Sequence, residues 1–186
     1  MITLVNHFEQ YLGTMVGGWK TDIPTLEAPV QITKYELSNG QTSFATLGLS
    51  HTPLHSSVSG KEIHEELILT LNVGSADVSL LSVLEYVVST VARSKHALLR
   101  GEVVGPLGPL VKNSPMEAFY TASPVYFPDA FATYSGGSFQ TVIAWLVPIA
   151  RNEADFVQKH GWRKFEDQLL KFDPLLTDLF REPLAI

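Results

Sequence analysis

Phe139-Gln140-Thr141-Val142-Ile143-Ala144-Trp145-Leu146-Val147-Pro148-Ile149 is the most nearly continuous apolar run in the chain. It is rich in β-branched and aromatic residues, which fit a pleated surface. Without an alternating polar face, it reads as a central strand covered on both sides of its sheet. Pro148 cannot donate to a ladder and belongs at the end of that strand.

Working outward from it, Asn152 is placed to cap a helix running to about His160, with Gly161 as its stop. Trp162, Phe165, Leu169 and Phe172 recur at helical spacing and predict a second helix. Asp173-Pro174 carries the cap-plus-first-turn pattern of a short third one. On the other side, 122–138 reads as a long loop ending in Ser135-Gly136-Gly137-Ser138, and Ala118–Thr121 as a weak strand. Residues 101–115 give a short strand or turn followed by a Gly/Pro loop.

Ser79–His96 reads as the longest helix, with Leu80, Leu84, Val87, Val88 and Val91 in its apolar stripe. Its valines lower intrinsic propensity, so packing on a sheet must stabilise it. Glu62–Leu71 alternates with period two. Ile63, Leu67, Leu69 and Leu71 face one way, and Glu62, His64 and Glu66 the other. Glu65 falls on the apolar side, as an edge exception or a paired acid. Gln31–Leu37 and Thr42–Leu49 flank Asn39-Gly40, a strong hairpin signal. Residues 20–30 and 50–60 read as loops. Leu4, Phe8, Leu12, Met15 and Val16 predict a first helix that stops at Gly17-Gly18. With no internal repeat and no dividing linker, the expected architecture is one α+β domain over residues 1–186. It has a mostly antiparallel or mixed sheet, helices packed on it, and a helical C-terminus.

Composition excludes much chemistry. The 186 residues are 45% apolar and 17% charged, and contain no cysteine. Disulfides, thiolate metal sites and thiol catalysis are therefore removed. The longest apolar stretches, Val83–Val91 and Val142–Ile149, fall short of the ~18 residues of a membrane span. The N-terminal residues MITLVNHFEQ carry no secretory pattern, so a cytoplasmic location is expected. Net charge is −6 without a basic block, which disfavours nucleic acid and favours basic partners.

Motifs for catalysis or cofactors are weak. His51 and His55 flank Pro53 in a loop, so helical metal-ligand spacing does not apply. Glu62, His64 and Glu66 line one strand face and can be read as a cation site, although a solvated edge strand has the same pattern. There is no Gly-x-Ser-x-Gly elbow, and no Gly-Lys-[Ser/Thr] follows the glycines at 101, 105 and 108. Adjacent acids such as Glu65–Glu66 and Glu166–Asp167 point in different directions and make no acid/base pair. No catalytic residue, metal or cofactor is expected.

Residues 60–186 resemble the suppressor of fused family. The resemblance rests on Glu66-Leu67, Gly101, Leu146-Val147-Pro148-Ile149, Glu153, Phe156, Gly161, Leu169, Asp178 and Arg181. Most of these have a structural reading: Gly161 stops a helix, Glu153 occupies a first turn, and Asp178 and Arg181 are spaced to pair on a short helix. The resemblance implies a non-enzymatic protein-binding domain. Animal members hold an extended peptide between two lobes; this chain is too short for the second lobe, so that mode is not expected whole. Small bacterial members look like immunity proteins or antitoxins, which implies a cognate protein toxin with a basic surface, a nuclease among the candidates. Glu62, His64, Glu66, Asp129 and Tyr134 are the expected contact residues, chosen for exposure and charge. Two rival readings are a regulatory scaffold that binds a host protein and a hydrolase built on His64 and a carboxylate. A monomer or weak homodimer is expected.

Overall fold

The computed structural model describes residues 3–23, 29–72 and 79–186. The order is α1 (Leu4–Leu12), β1 (Thr14–Lys20), β2 (Gln31–Glu36), β3 (Thr42–Leu47), β4 (Leu54–His55), β5 (Glu62–Leu71) and α2 (Ser79–Ser94). Then follow β6 (Val103–Val104), β7 (Met116–Ala122), β8 (Thr133–Tyr134), β9 (Thr141–Ala150), α3 (Arg151–His160) and α4 (Trp162–Phe172). One sheet runs β1-β2-β3-β5-β9-β7-β6, with β4 beside β5 and β8 beside β9. Only the β5–β9 pair is parallel among these ladders, with Leu67 opposite Ala144. The α+β architecture with a mixed sheet is as the hydrophobic pattern predicts.

The sheet is covered on both faces. Leu67, Leu69 and Leu71 of β5 and Leu146 of β9 pack with Leu84, Val87, Val88 and Val91 of α2. On the opposite face Ile68, Ile143, Trp145, Val147 and Ile149 pack with Phe8 and Leu12 of α1, Val157 of α3 and Phe165 of α4. β9 therefore sits between β5 and β7 with both sides buried, as its unbroken apolar run requires. Pro148 lies two positions before the end of β9, beyond the last residue paired to β5, and its carbonyl accepts from Arg181 (3.2 Å). The β2–β3 hairpin forms with Glu36 opposite Thr42 and Gly40 at φ +85°.

Four local expectations are corrected. Helix α1 ends at Leu12, not at Gly17-Gly18, because Gly13 (φ +85°) turns the chain back over β2, where an added Cβ would lie 2.1 Å from the Glu36 carbonyl oxygen. Met15 and Val16 consequently sit in edge strand β1 and are exposed, together with Trp19. Asn152 does not cap α3. Ala150 precedes the helix, its N–H donates to Glu153 (2.8 Å), and the Asn152 amide donates to the Leu184 carbonyl (2.8 Å). No helix follows Asp173-Pro174. Asp173 itself closes α4 in a left-handed conformation, its N–H donating to Leu169, and the following proline keeps the helix from continuing. Finally, Asp178 and Arg181 do not pair. Asp178 accepts from the Phe180 N–H, and Arg181 reaches Glu153. Among the described residues, no helix is long and apolar enough to cross a membrane.

Candidate binding site

The five contact residues expected from the sequence divide among different environments. Glu62 is exposed at the start of β5. His64 is half-buried, its ring stacked on Phe139 at 3.9 Å between centroids. Its Nδ1 faces the Ser50 carbonyl at 2.6 Å and its Nε2 the Glu62 carboxylate at 3.0 Å. Both ring nitrogens thus face oxygen atoms within the fold. Tyr134 of β8 lies across β9 from His64, since both register on Thr141. It lines a cavity of about 370 Å³ with His51 and Phe139. Asp129 is exposed in the single turn Asp129–Phe131, away from that cavity.

Glu66 is a correction. It is fully buried and presents nothing to a partner. It shares a strand face with Glu62 and His64, but the turn Leu49–His51 lies over it. Its carboxylate accepts from the Thr46 hydroxyl (2.5 Å), the N–H groups of Gly48 (2.9 Å) and Ser50 (3.0 Å), and the Ser50 hydroxyl (2.7 Å). Burial pushes this carboxyl above its ordinary pKa, and the four donors pull it back. Its work is to fasten that turn, and with it the Ser50 carbonyl, against β5. Among the described residues, no group of three or more His, Cys, Asp or Glu side chains is arranged to hold a metal ion.

A second site was not anticipated from the sequence. A cleft of about 270 Å³ opens between α4 and the face of β7 and β9. Trp145 and Tyr120 line it from the sheet, Leu169 and Leu170 from α4, and Val125 and Tyr126 from the segment after β7. At one end Glu166 accepts from Arg100 Nε (2.9 Å), Arg100 Nη2 (2.6 Å) and the Tyr120 hydroxyl (2.8 Å). Partial burial alone would raise the Glu166 pKa. The donors and the guanidinium charge outweigh it and hold the carboxyl below the ordinary range. The Tyr120 phenol is pushed well up by burial and by its bond to the carboxylate, so it remains a donor.

Local packing fixes this end of the cleft. The Arg100 guanidinium lies 5.1 Å from the centre of the Trp162 ring, a cation–π distance. Trp162 in turn packs on Gly101 (φ +95°), where an added Cβ would lie 2.5 Å from the indole Cγ. A glycine is needed at 101 for both its conformation and its lack of a side chain.

The cleft combines a buried polar group without a partner and an exposed apolar mouth. Trp145 is fully buried, its ring 4.8 Å from that of Tyr126, yet its Nε1–H has no partner among the described residues. An unpaired buried donor is costly and uncommon. Around the mouth, Val125, Tyr126 and Leu170 are exposed, Leu170 at 82%. Exposed apolar side chains gathered at one cleft suit an interaction surface. The sequence did carry a faint signal: Val125-Tyr126 is an apolar pair inside a Pro-rich loop, and Leu170 falls off the buried stripe of α4.

Comparison with known proteins places this architecture. Residues 27–182 match the model of the family described as suppressor of fused protein (SUFU). No curated protein matches the chain. Among solved structures, it is similar to a SUFU homologue from Neisseria gonorrhoeae FA 1090, with a TM-score of 0.76 and 14% identity over 95% of this chain and 92% of that one. A Sufu–Fu complex structure is similar with a TM-score of 0.69 and 11% identity, covering 97% and 90%. The Suppressor of Fused of Drosophila gives a TM-score of 0.60 and 12% identity over 83% of this chain, which spans 42% of that protein. At these identities the structural likeness is one of fold.

Proposed function

The chain belongs to the suppressor of fused family, and from that premise we propose that it is a protein-binding domain without catalytic activity of its own, acting as an immunity protein against a cognate toxin. The observation that carries the binding reading is the set of exposed apolar side chains, Val125, Tyr126 and Leu170, that line the cleft. A relative was solved as a Sufu–Fu complex, which supports protein recognition as the habit of the fold.

The partner is a basic protein. Net charge is −6, and opposite charge on a partner speeds encounter and selects against acidic competitors. A nuclease toxin offers such a surface, because it must hold phosphates. The segment after β7 runs from Val125 and Tyr126 at the cleft, through Asp129, to Tyr134 at the His64 end of β9. Asp129, Tyr134, Glu62 and His64 are the polar contacts of this reading, with Glu66 removed from the set.

Co-expression with the product of the adjacent gene tests it. Growth arrest by that product alone, relieved when this chain is present, is the expected result. A toxic neighbour that this chain neither binds nor neutralises overturns the immunity reading and leaves a regulatory scaffold as the alternative.

A further inference from the structure

We propose that two copies of this chain pair through β1, edge to edge and antiparallel, with Trp19 of one copy opposite Trp19 of the other. β1 closes one end of the sheet and the cleft lies over β7 and β9 toward the other, so the proposal stands apart from the choice of toxin partner.

The ladder sets which backbone groups are free. β1 pairs with β2 alone. The Thr21 N–H donates to the Val30 carbonyl (2.9 Å), continuing the register in which Trp19 opposes Ile32 and Gly17 opposes Lys34. Backbone direction alternates along a strand, so Gly17 and Trp19 aim their groups at β2, and Gly18 and Lys20 turn theirs outward. Among the described residues, those outward N–H and C=O groups have no partner. An edge of free ladder groups is a template for another strand. Along β1 every residue but Gly17 is exposed, and Lys20 is the one charge. The other end of the sheet, β6, is only two residues long and offers no such template.

Symmetry selects the occupant and the register. A two-fold axis at Trp19 sets Gly18 opposite the partner copy's Lys20 and Lys20 opposite its Gly18, closing about four backbone hydrogen bonds. The two lysines then never face each other, and each meets a residue without a side chain. Trp19 falls at the non-hydrogen-bonded position of the new ladder, where opposed side chains come closest and aromatic pairs are favourable. Its ring is 40% exposed, and Gly17 leaves room for it, since an added Cβ there would lie 3.1 Å from the indole Cη2. Centring on Gly18 instead would set Lys20 against the bulge between Met15 and Gly17, where the ladder is interrupted. Any extended segment can use the backbone groups, but a second copy necessarily brings the matching tryptophan.

Sedimentation velocity of the full chain between about 20 µM and about 1 mM tests the pairing. A monomer at the bottom of the range and a dimer growing in at the top is expected, because an interface of one strand is small and weak. Association should strengthen as salt rises, since each copy carries a net charge of −6, the reverse of capture of a basic partner. Trp19→Lys sets like charges opposite each other across the axis and should weaken association by about tenfold. The chain has no cysteine, so a single introduced thiol reports the register. Trp19→Cys should cross-link to its own copy under mild oxidation, because opposed residues at such a position stand about 4.5 Å apart at Cα, within disulfide reach. Thr21→Cys faces the partner copy's Gly17 and not its own counterpart, and should cross-link about tenfold more slowly. A monomer throughout the concentration range overturns the proposal, as do equal cross-linking rates at the two positions or a dimer indifferent to Trp19→Lys. The unaltered chain's sedimentation needs no variant, so a poorly folding one does not spoil it. It needs no toxin either, so failure here leaves the immunity reading in place.

Discussion

Arg181 grips both carboxylate oxygens of Glu153 at 2.7 Å, joining the C-terminal segment to the first turn of α3 across 28 positions of sequence. The pair is almost completely buried. Glu153 also accepts from the N–H groups of Ala150 and Leu184 at 2.8 Å each, and Arg181 donates to the Pro148 and Glu182 carbonyls. One carboxylate thereby fastens the end of β9, the start of α3 and the tail.

Arg181→Met should therefore destabilise the fold strongly, by about 3–5 kcal/mol, because it leaves the buried Glu153 carboxylate without its counter-charge. Arg181→Lys should recover only part of this, since an ammonium cannot match a carboxylate with two parallel bonds. Urea denaturation midpoints for the two variants check the order. Equal stability of Arg181→Met and the unaltered chain would contradict the finding.

Glu65 predicts a pH dependence. It is buried on the α2 face with the Leu98 N–H donating to it (3.0 Å). Burial, aided by the charges of Glu102 and Glu66, pushes its pKa up to about 8, although the Leu98 bond pulls back. Between about 4.5 and about 8 the folded state therefore holds a proton that the unfolded chain releases. Stability contributed by Glu65 is fully present below that window and is lost as pH rises through it, by a few kcal/mol at order of magnitude. Glu65→Gln should flatten this decline in chemical denaturation measured from pH 5 to pH 9. An unchanged slope would show that Glu65 ionises without cost.

Gly101→Ala should lower thermal stability and disturb the cleft together. A left-handed conformation costs a non-glycine residue about 1–2 kcal/mol, and the new methyl would meet the Trp162 ring. Displacing Trp162 removes the surface beneath Arg100. Denaturation, with the Trp162 and Trp145 indole resonances as local reporters, checks both effects. Loss of stability with unmoved indole signals would confine the effect to the backbone.

The same residues show why much of the fold was legible and the site was not. Period-two alternation placed Ile63, Leu67, Leu69 and Leu71 on one face, and the structure keeps them there, half-buried or buried against α2. Alternation cannot say whether the second face meets water. Glu66 looked solvated because it was polar, but the turn around Ser50, sixteen residues upstream, covers it. Adjacent acids did point apart: Glu65 and Glu66 serve opposite faces of the sheet, and Asp167 is exposed while Glu166 lines the cleft. The Glu153–Arg181 pair and the cleft both join residues far apart in sequence, and neither local spacing nor propensity encodes such contacts.

The rim predicts a separation of binding from stability. Leu170→Asp and Val125→Asp alter side chains that are 82% and 68% exposed, so denaturation midpoints should shift by under about 0.5 kcal/mol. Partner capture should weaken by tenfold or more, taken as roughly the loss of one interface anchor. Association should also slow as salt rises, because screening shortens the reach of the acidic surface. Variants that bind like the unaltered chain would place the contact away from the cleft.

The central claim is that this chain neutralises a basic protein by gripping it through the cleft rim. Calorimetric titration of the purified chain with the adjacent gene product, repeated with Leu170→Asp, measures it most directly. One-to-one binding by the unaltered chain and clear weakening in the variant is the predicted result. No heat of binding with the unaltered chain would contradict the partner, and equal affinities for both would contradict the surface.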